Sequence, residues 1–323
     1  MSNTKESIVL KYDNMGIPSI MLKVENTAKT PEEADRMFFV RGVEYDSVYL
    51  SQFVNCIRNG RAYSLPAVDP AVRINFDEAI VACRRKGRGW HLLTWAEWKY
   101  IRENTIEGIH GNTDFGKYHE DETEIGIGVP NCGRTLTGSG PASWSHNGNK
   151  ETGISDVVGL VWKMIAGLRL KNGVIQFMPD NDAADPDADL SVNSEEFKEV
   201  YVDELPFPDP VRMVSNEEGE LIITTDKNKV NGWAGGRRSE TVIDMKEIPQ
   251  ILKDLGIITD NMKTSREWIS ADADLEEAIP FGSGSFDNTS SAGPSALSLY
   301  SPRSVSYDSV GFFSACLGEP VRR

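Results

Sequence analysis

Long apolar runs are missing from this chain. None approaches the ~20 residues a helix needs to cross a bilayer, and the start, MSNTKESIVLKYDNMG, has no apolar signal-like core. A chain made soluble in a cytoplasm is expected, with export by a non-signal route, such as assembly into a particle, left open. Positive charge is short too: 34 Lys and Arg stand against 49 Asp and Glu, a net charge of −15. No basic stripe offsets this, which argues against a nucleic-acid ligand, because binding a phosphate backbone requires cations that replace released counterions. Cysteine is scarce. Cys56, Cys83, Cys132 and Cys316 form no C-x-x-C and are irregularly spaced, which excludes a zinc ribbon and a disulfide framework. They are expected to be small buried residues. The most informative shortage is local. From Phe281 to Leu317 the chain has no Lys, Glu, Gln, Met or Trp, although all five occur upstream.

The rest of the composition supports a folded domain. Apolar residues make up 39%, with seven Trp and twelve Phe, and 28 Gly with 16 Pro point to many loops. The length of 323 residues allows one large domain with insertions, or two. SIVLKYD and SIMLKVE flank the turn residues Asn14-Met15-Gly16 and read as two short strands. They suggest an N-terminal arm over residues 1–36. Alternation of apolar and polar residues predicts strands near 37–40, 46–51 and 61–64. Two helices follow. Asn75 with Glu78, and Thr94 with Glu97, have the spacing of capping boxes, and Gly87 is placed as the C′ glycine of the first helix. The connection GRGWHLLT is expected to bury Trp90 and Leu92. Residues 104–155 read as irregular but ordered, since Phe115, Tyr118 and Trp144 favour burial. Asn172-Gly173 suits a type I′ hairpin turn. Residues 196–278 read as an insertion holding a strand at ELIITT and a helix at IPQILKDLG.

In order along the chain, several segments resemble the variable proteins of diversity-generating retroelements. INFDEAIVACRRKGRGWHLLTWAEWKYI is similar to their two-helix signature. HGNTDFGKYH, GRTLTGSGPASWSHNG and DVVGLVWKMIAGLRL resemble their central region, IPQILKDLGI the helix of their insertion, and GSFDNTSSAGPSALSLYSPRSVSYDSVGFFSA their C-terminal variable region. The resemblance implies an α+β, C-type lectin-like (formylglycine-generating-enzyme-like) domain over 37–323, with two helices packed on irregular antiparallel sheets and a variable region at 281–317. In that family, error-prone copying turns Asn codons into codons that never encode Lys, Glu, Gln, Met or Trp, which are the five residues missing here.

By that analogy the diversified, ligand-binding positions are Ser285, Asp287, Asn288, Ser291, Ser298, Tyr300, Ser301, Val305, Tyr307, Asp308 and Ser309. Gly282, Ser295 and Phe313 stand at the margin of the set, with Phe313 a contact residue if exposed. The expected fixed scaffold is Gly284, Phe286, Ala292, Gly293, Ala296, Leu297, Leu299, Arg303, Gly311 and Phe312. The Ser/Tyr/Gly composition supports binding on physical grounds: tyrosine gives a stiff amphipathic contact surface, and small polar residues add adaptable hydrogen bonds. Tyr300 and Tyr307 are the strongest anchor candidates. The resemblance implies a protein or cell-surface ligand in a phage or bacterial setting, with no cofactor. Homo-oligomerisation, or attachment to a particle through the N-terminal arm, is left open.

An enzyme of the sulfatase-modifying-factor type is the alternative. The family motif Gly-Asn-Val-Trp-Glu-Trp reads Gly159-Leu160-Val161-Trp162-Lys163-Met164 here, and Phe313 stands where Gly-Phe-Arg-Cys has arginine. Cys316 falls beyond the expected position, so no catalytic residue is assigned. His91, His110, His119 and His146 lack the His-x₃-His-x-Glu spacing of the related iron sites. GSGPAS at 138–143 lacks the lysine of a phosphate loop. Asp185, Asp187, Asp189 and Glu196 occupy acidic positions of an EF-hand-like spacing, but Leu190 stands where the loop needs glycine. An acidic surface loop is the expectation there, with calcium the lesser reading.

Overall fold

The computed structural model describes residues 3–105, 126–202, 209–229 and 232–322. The chain opens on a hairpin of β1 (Thr4–Tyr12) and β2 (Pro18–Asn26). β3 (Phe39–Val40) pairs with β4 (Val43–Glu44), β5 spans Ser47–Ser51, and β6 (Asn55–Arg58) pairs with β7 (Arg61–Ser64). Then come α1 (Phe76–Arg84), β8 (Trp90–Leu92) and α2 (Trp95–Glu103). β9 (Trp162–Met164) precedes the hairpin of β10 (Leu168–Lys171) and β11 (Val174–Phe177). β12 (Lys198–Glu199), β13 (Arg212–Ser215), β14 (Leu221–Thr224), β15 (Trp233–Arg237) and β16 (Val242–Asp244) lead to α3 (Gln250–Asp254). β17 (Trp268–Asp272), β18 (Ile279–Gly282), β19 (Leu297–Ser301), β20 (Val310–Phe312) and β21 (Ser314–Leu317) close the chain.

The architecture is α+β. One sheet runs β1-β2-β5-β21-β8, a second β10-β11-β13-β14-β16 with β12 beside β11, and a third β15-β17-β19-β18-β9-β20. The sheets are not purely antiparallel as expected: β14 and β16, β17 and β19, and β9 and β20 pair in parallel. The first 36 residues are no separate arm. β2 pairs with β5 from Met21↔Ser51 to Glu25↔Ser47, and Met21, Leu22 and Val24 are fully buried. Nor is 196–278 a self-contained insertion, because β15 and β17 belong to the third sheet and border β19.

Local chemistry explains the helices. Asn75 accepts from the Glu78 amide while Glu78 returns a bond to the Asn75 amide, and Thr94 and Glu97 do the same. Asn75→Ala should cost about 1 kcal/mol, read as a lowered urea midpoint at unchanged slope. Helix α1 ends at Arg84 with Arg85 as its cap, so Gly87 (φ +126°) lies one residue beyond the expected C′ position. Glu97 has a second task. Fully buried, it accepts from His91 Nε2 (2.7 Å) and Asn181 Nδ2 (3.1 Å). Burial pushes its carboxyl up, but His91 and the hydrogen bonds outweigh that and hold it below the usual range. Asn172 (φ +49°) and Gly173 (φ +78°) make the turn between β10 and β11, both in the left-handed region that a type I′ turn requires.

The third sheet separates two apolar cores. Leu297, Leu299 and Phe313 enter the one that contains α2. Ile279, Phe281, Val310 and Phe312 enter the one that contains α1.

Candidate functional site

The candidate site is the segment from β18 to β20, set in the third sheet. Its scaffold begins at a bend. Ser283 (φ +77°) and Gly284 (φ +81°) are both left-handed, and a Cβ on Gly284 would stand 2.6 Å from Ala292 Cβ. Only glycine fits. Gly293 is required by approach instead, since a Cβ there would meet Glu267 Oε1 at 2.2 Å. Between these points the chain ties itself: Asn288 Oδ1 accepts from the Ser285 amide and hydroxyl (both 2.8 Å), and Ser285 Oγ also donates to Asp287. The Phe286 ring packs on Gly133.

Ionisable residues from outside the segment brace it. Lys163, in place of the acidic motif residue, is fully buried; its Nζ donates to Gly159 O and Ser283 Oγ (both 2.6 Å). Arg238, also fully buried, donates to the carbonyls of Ser295, Gly256 and Ile257. Glu267 Oε1 accepts from the Ser295 amide (2.8 Å). The loop 302–309 is pinned at three places. Arg303 pairs with Asp77 (2.7 Å) and Glu277 (3.1 Å), the Arg73 amide donates to Tyr307 O (3.0 Å), and Arg134 Nη1 donates to Asp308 O (3.1 Å). Sequence reasoning missed Lys163, Arg238, Glu267, Arg73 and Arg134. Only Lys163 left a signal, as a charge inside the apolar run VVGLVWKMIAG.

On this frame Tyr300 and Tyr307 project outward, 39% and 47% exposed. They form one neighbourhood with Asp287: burial raises the Tyr300 pKa, and Tyr307 and Asp287 add to it. Asp287 is exposed, and Asn288, Ser291, Val305, Asp308 and Ser309 are half-buried. Four expected contact residues are not on the surface. Ser285 (1%), Ser298 (1%), Ser301 (2%) and Phe313 (1%) are buried. Phe313 is a core residue because its side chain points into the α2-side core as the chain passes from β20 to β21. Ser298 and Ser301 lie within β19, and Ser285 is folded under its own turn. The expected scaffold is buried at Gly284, Ala292, Gly293, Ala296, Leu297, Leu299, Gly311 and Phe312, and half-buried at Phe286 and Arg303.

The rival sites resolve differently. Arg41 enters the acidic loop, pairing with Asp185 (3.2 Å) and with Glu196, so a guanidinium already occupies the place the calcium reading required. Asp187 is highly exposed and faces Arg88, while Asp189 accepts from the Ser191 amide. Gly138 of the 138–143 loop donates to Asp156 Oδ2 (2.6 Å), a carboxylate rather than a phosphate. Cys56, Cys83 and Cys316 are buried and Cys132 is half-buried; all four are free thiols. His91 and His146 bond Glu97 and Glu6. HGNTDFGKYH, with Phe115, Tyr118, His110 and His119, lies outside the described residues. No helix among the described residues is long and apolar enough to cross a membrane.

No protein-family model matches the chain, and no curated protein matches it. Among solved structures, the chain is similar to two Major Tropism Determinant variants. The P3c variant aligns over 98% of this chain and 64% of its own, at 11% identity and a TM-score of 0.35. The U1 variant aligns over 99% and 74%, at 11% identity and 0.36. The chain thus spans just under two thirds of the P3c variant's length.

Proposed function

We propose that the chain is a ligand-binding protein, and not an enzyme, that presents segment 281–317 as a diversified binding face on a C-type lectin-like scaffold. It would then belong with the retroelement variable proteins that its motifs resemble. The observation that carries this is the division of the segment. Positions expected to be fixed are buried or half-buried, while Asp287, Tyr300 and Tyr307 stand exposed between them. Arg73, Arg134, Arg238 and Glu267 hold the backbone through its own carbonyls and an amide, Lys163 through Ser283, and Arg303 anchors its loop to Asp77 and Glu277. The outward side chains can therefore vary without loss of the frame. A rigid frame also lowers the ordering cost of binding. The ligand class is a protein or cell-surface receptor. The oxidase alternative has no accessible thiol near the C-terminal core: Cys316 is buried there, and burial pushes it up to about 11, so it stays protonated and poorly nucleophilic.

Two experiments test this reading. Tyr300→Ser combined with Tyr307→Ser should weaken a selected protein ligand by roughly 100-fold or more, as loss of two aromatic anchors implies. The urea midpoint should stay close to wild type. Unchanged affinity would remove the tyrosines from the site. The DNA downstream of the coding sequence should also hold a near-copy of codons 282–315, with adenines wherever the two copies differ. If no such copy and no neighbouring reverse transcriptase exist, the retroelement origin is wrong.

A further inference from the structure

Tyr300 has neighbours outside the variable segment. β17 runs parallel to β19 in the register Ile269↔Leu297, Ser270↔Ser298, Ala271↔Leu299, so the next residues, Asp272 and Tyr300, lie side by side. β15 is antiparallel to β17 and sets Trp233 opposite Asp272. Paired residues on adjacent strands share a face. Trp233, Asp272 and Tyr300 therefore form one row across three strands, with the two aromatic Cα atoms about 10 Å apart at ~4.8 Å per strand. Trp233 is 52% exposed. Gly235 makes its pose feasible, because the Trp233 and Trp268 rings stand 3.2 and 3.0 Å from where a Cβ on Gly235 would be.

The row has chemistry that is not satisfied internally. Asp272 accepts from the Asp274 amide (3.1 Å) and has no ion pair among the described residues. Asp287, beside Tyr300, accepts from Ser285 and likewise has none there. Two residues further in on the same face, Ser270 Oγ and Ser298 Oγ are buried neighbours, and neither has a hydrogen-bond partner among the described residues. Two exposed aromatic rings on the strands either side of a carboxylate attract a cation that reaches their faces, through the ring quadrupoles and the charge together. The net charge of −15 favours the same kind of partner.

We propose that Trp233 and Asp272 form a constant wall of the binding face, and that the wall takes an arginine or lysine side chain of a protein partner between Trp233 and Tyr300. This rests on reading 281–317 as the binding face. Both residues lie outside 281–317, so this wall would persist while the segment beside it changes.

The probe is a displayed library of random short peptides panned on the full chain. Enriched peptides should be rich in Arg or Lys and bind less well as salt rises. Trp233→Ala and Asp272→Asn should each weaken them by tenfold or more. Asp187→Asn, an exposed acid elsewhere, should leave them unchanged. Trp233→Phe should retain most of the binding, and thermal melts of each variant should match wild type. Enrichment of neutral or acidic peptides, or no enrichment at all, overturns the proposal. So does binding lost in the Tyr300/Tyr307 double variant but indifferent to Trp233→Ala and Asp272→Asn, and in that case the binding-face reading stands. Peptide binding indifferent to all four substitutions overturns both.

Discussion

Phe312→Ala should destabilise the protein by about 3–5 kcal/mol, whereas Tyr307→Ala, five residues away, should stay within about 0.5 kcal/mol of wild type. The two residues belong to one stretch of sequence but to different physical environments. Phe312 is fully buried among Phe76, Phe281 and other members of the α1-side core. Removing its ring deletes the transfer energy and leaves a cavity in a region fixed by β9 on one side and α1 on the other. Phe313→Ala should cost a similar amount from the opposite core, because successive strand residues point to opposite faces. Tyr307 lies within the pinned loop 302–309, and its side chain projects outward, 47% exposed. Urea titrations of the three variants, with equal slopes, measure the contrast directly. Comparable losses for Tyr307→Ala and Phe312→Ala would mean that the segment does not divide into frame and face.

That division was partly legible in the sequence. The apolar anchors Leu297, Leu299 and Phe312 are buried as their spacing suggested, and both helix caps form at the residues read as caps. Phe313 and the three buried serines were misplaced for a common reason. Serine is small and polar enough for either side of a strand, and Phe313 follows a residue already assigned to the core. Composition cannot decide which side each takes: strand pairing decides for Ser298 and Ser301, its own turn for Ser285, and the step from β20 to β21 for Phe313. The braces were harder still. Arg238 reaches Ser295 across 57 positions and Arg134 reaches Asp308 across 174. No local pattern encodes a partner at that distance. The row Trp233–Asp272–Tyr300 was invisible for the same reason, since it depends on β15 and β17 joining β19's sheet rather than forming an insertion of their own.

Stability should rise with pH from about 7 to about 9 and then fall, and Lys163→Met should remove at least half of the rise. Burial lowers the Lys163 pKa to about 7, with Asp156 pulling the other way, and burial lowers Lys86 to about 7 as well. In the unfolded chain both return to about 10.4. Below pH 7 each lysine is protonated in both states, so the cost of burying charge is fully present and does not vary. Above pH 7 the folded lysines lose their protons while the unfolded chain keeps them. The unfolded state then binds more protons, and stability climbs by about 1.4 kcal/mol per pH unit for each lysine. The buried thiols set the upper limit. Burial raises Cys83 to about 12 and Cys316 to about 11, and raises Cys56 too, whereas unfolded thiols ionise near 8.5. Past that point the folded state holds the extra protons, and the sign reverses. Urea midpoints across this range give the slope. Lys163→Met should lower it by half or more whatever the substitution does to stability at a single pH, because methionine does not titrate. A slope unchanged in that variant would mean that Lys163 keeps its proton in the fold, and that a charged ammonium, rather than a neutral amine, joins Gly159 to Ser283 at the base of the binding segment.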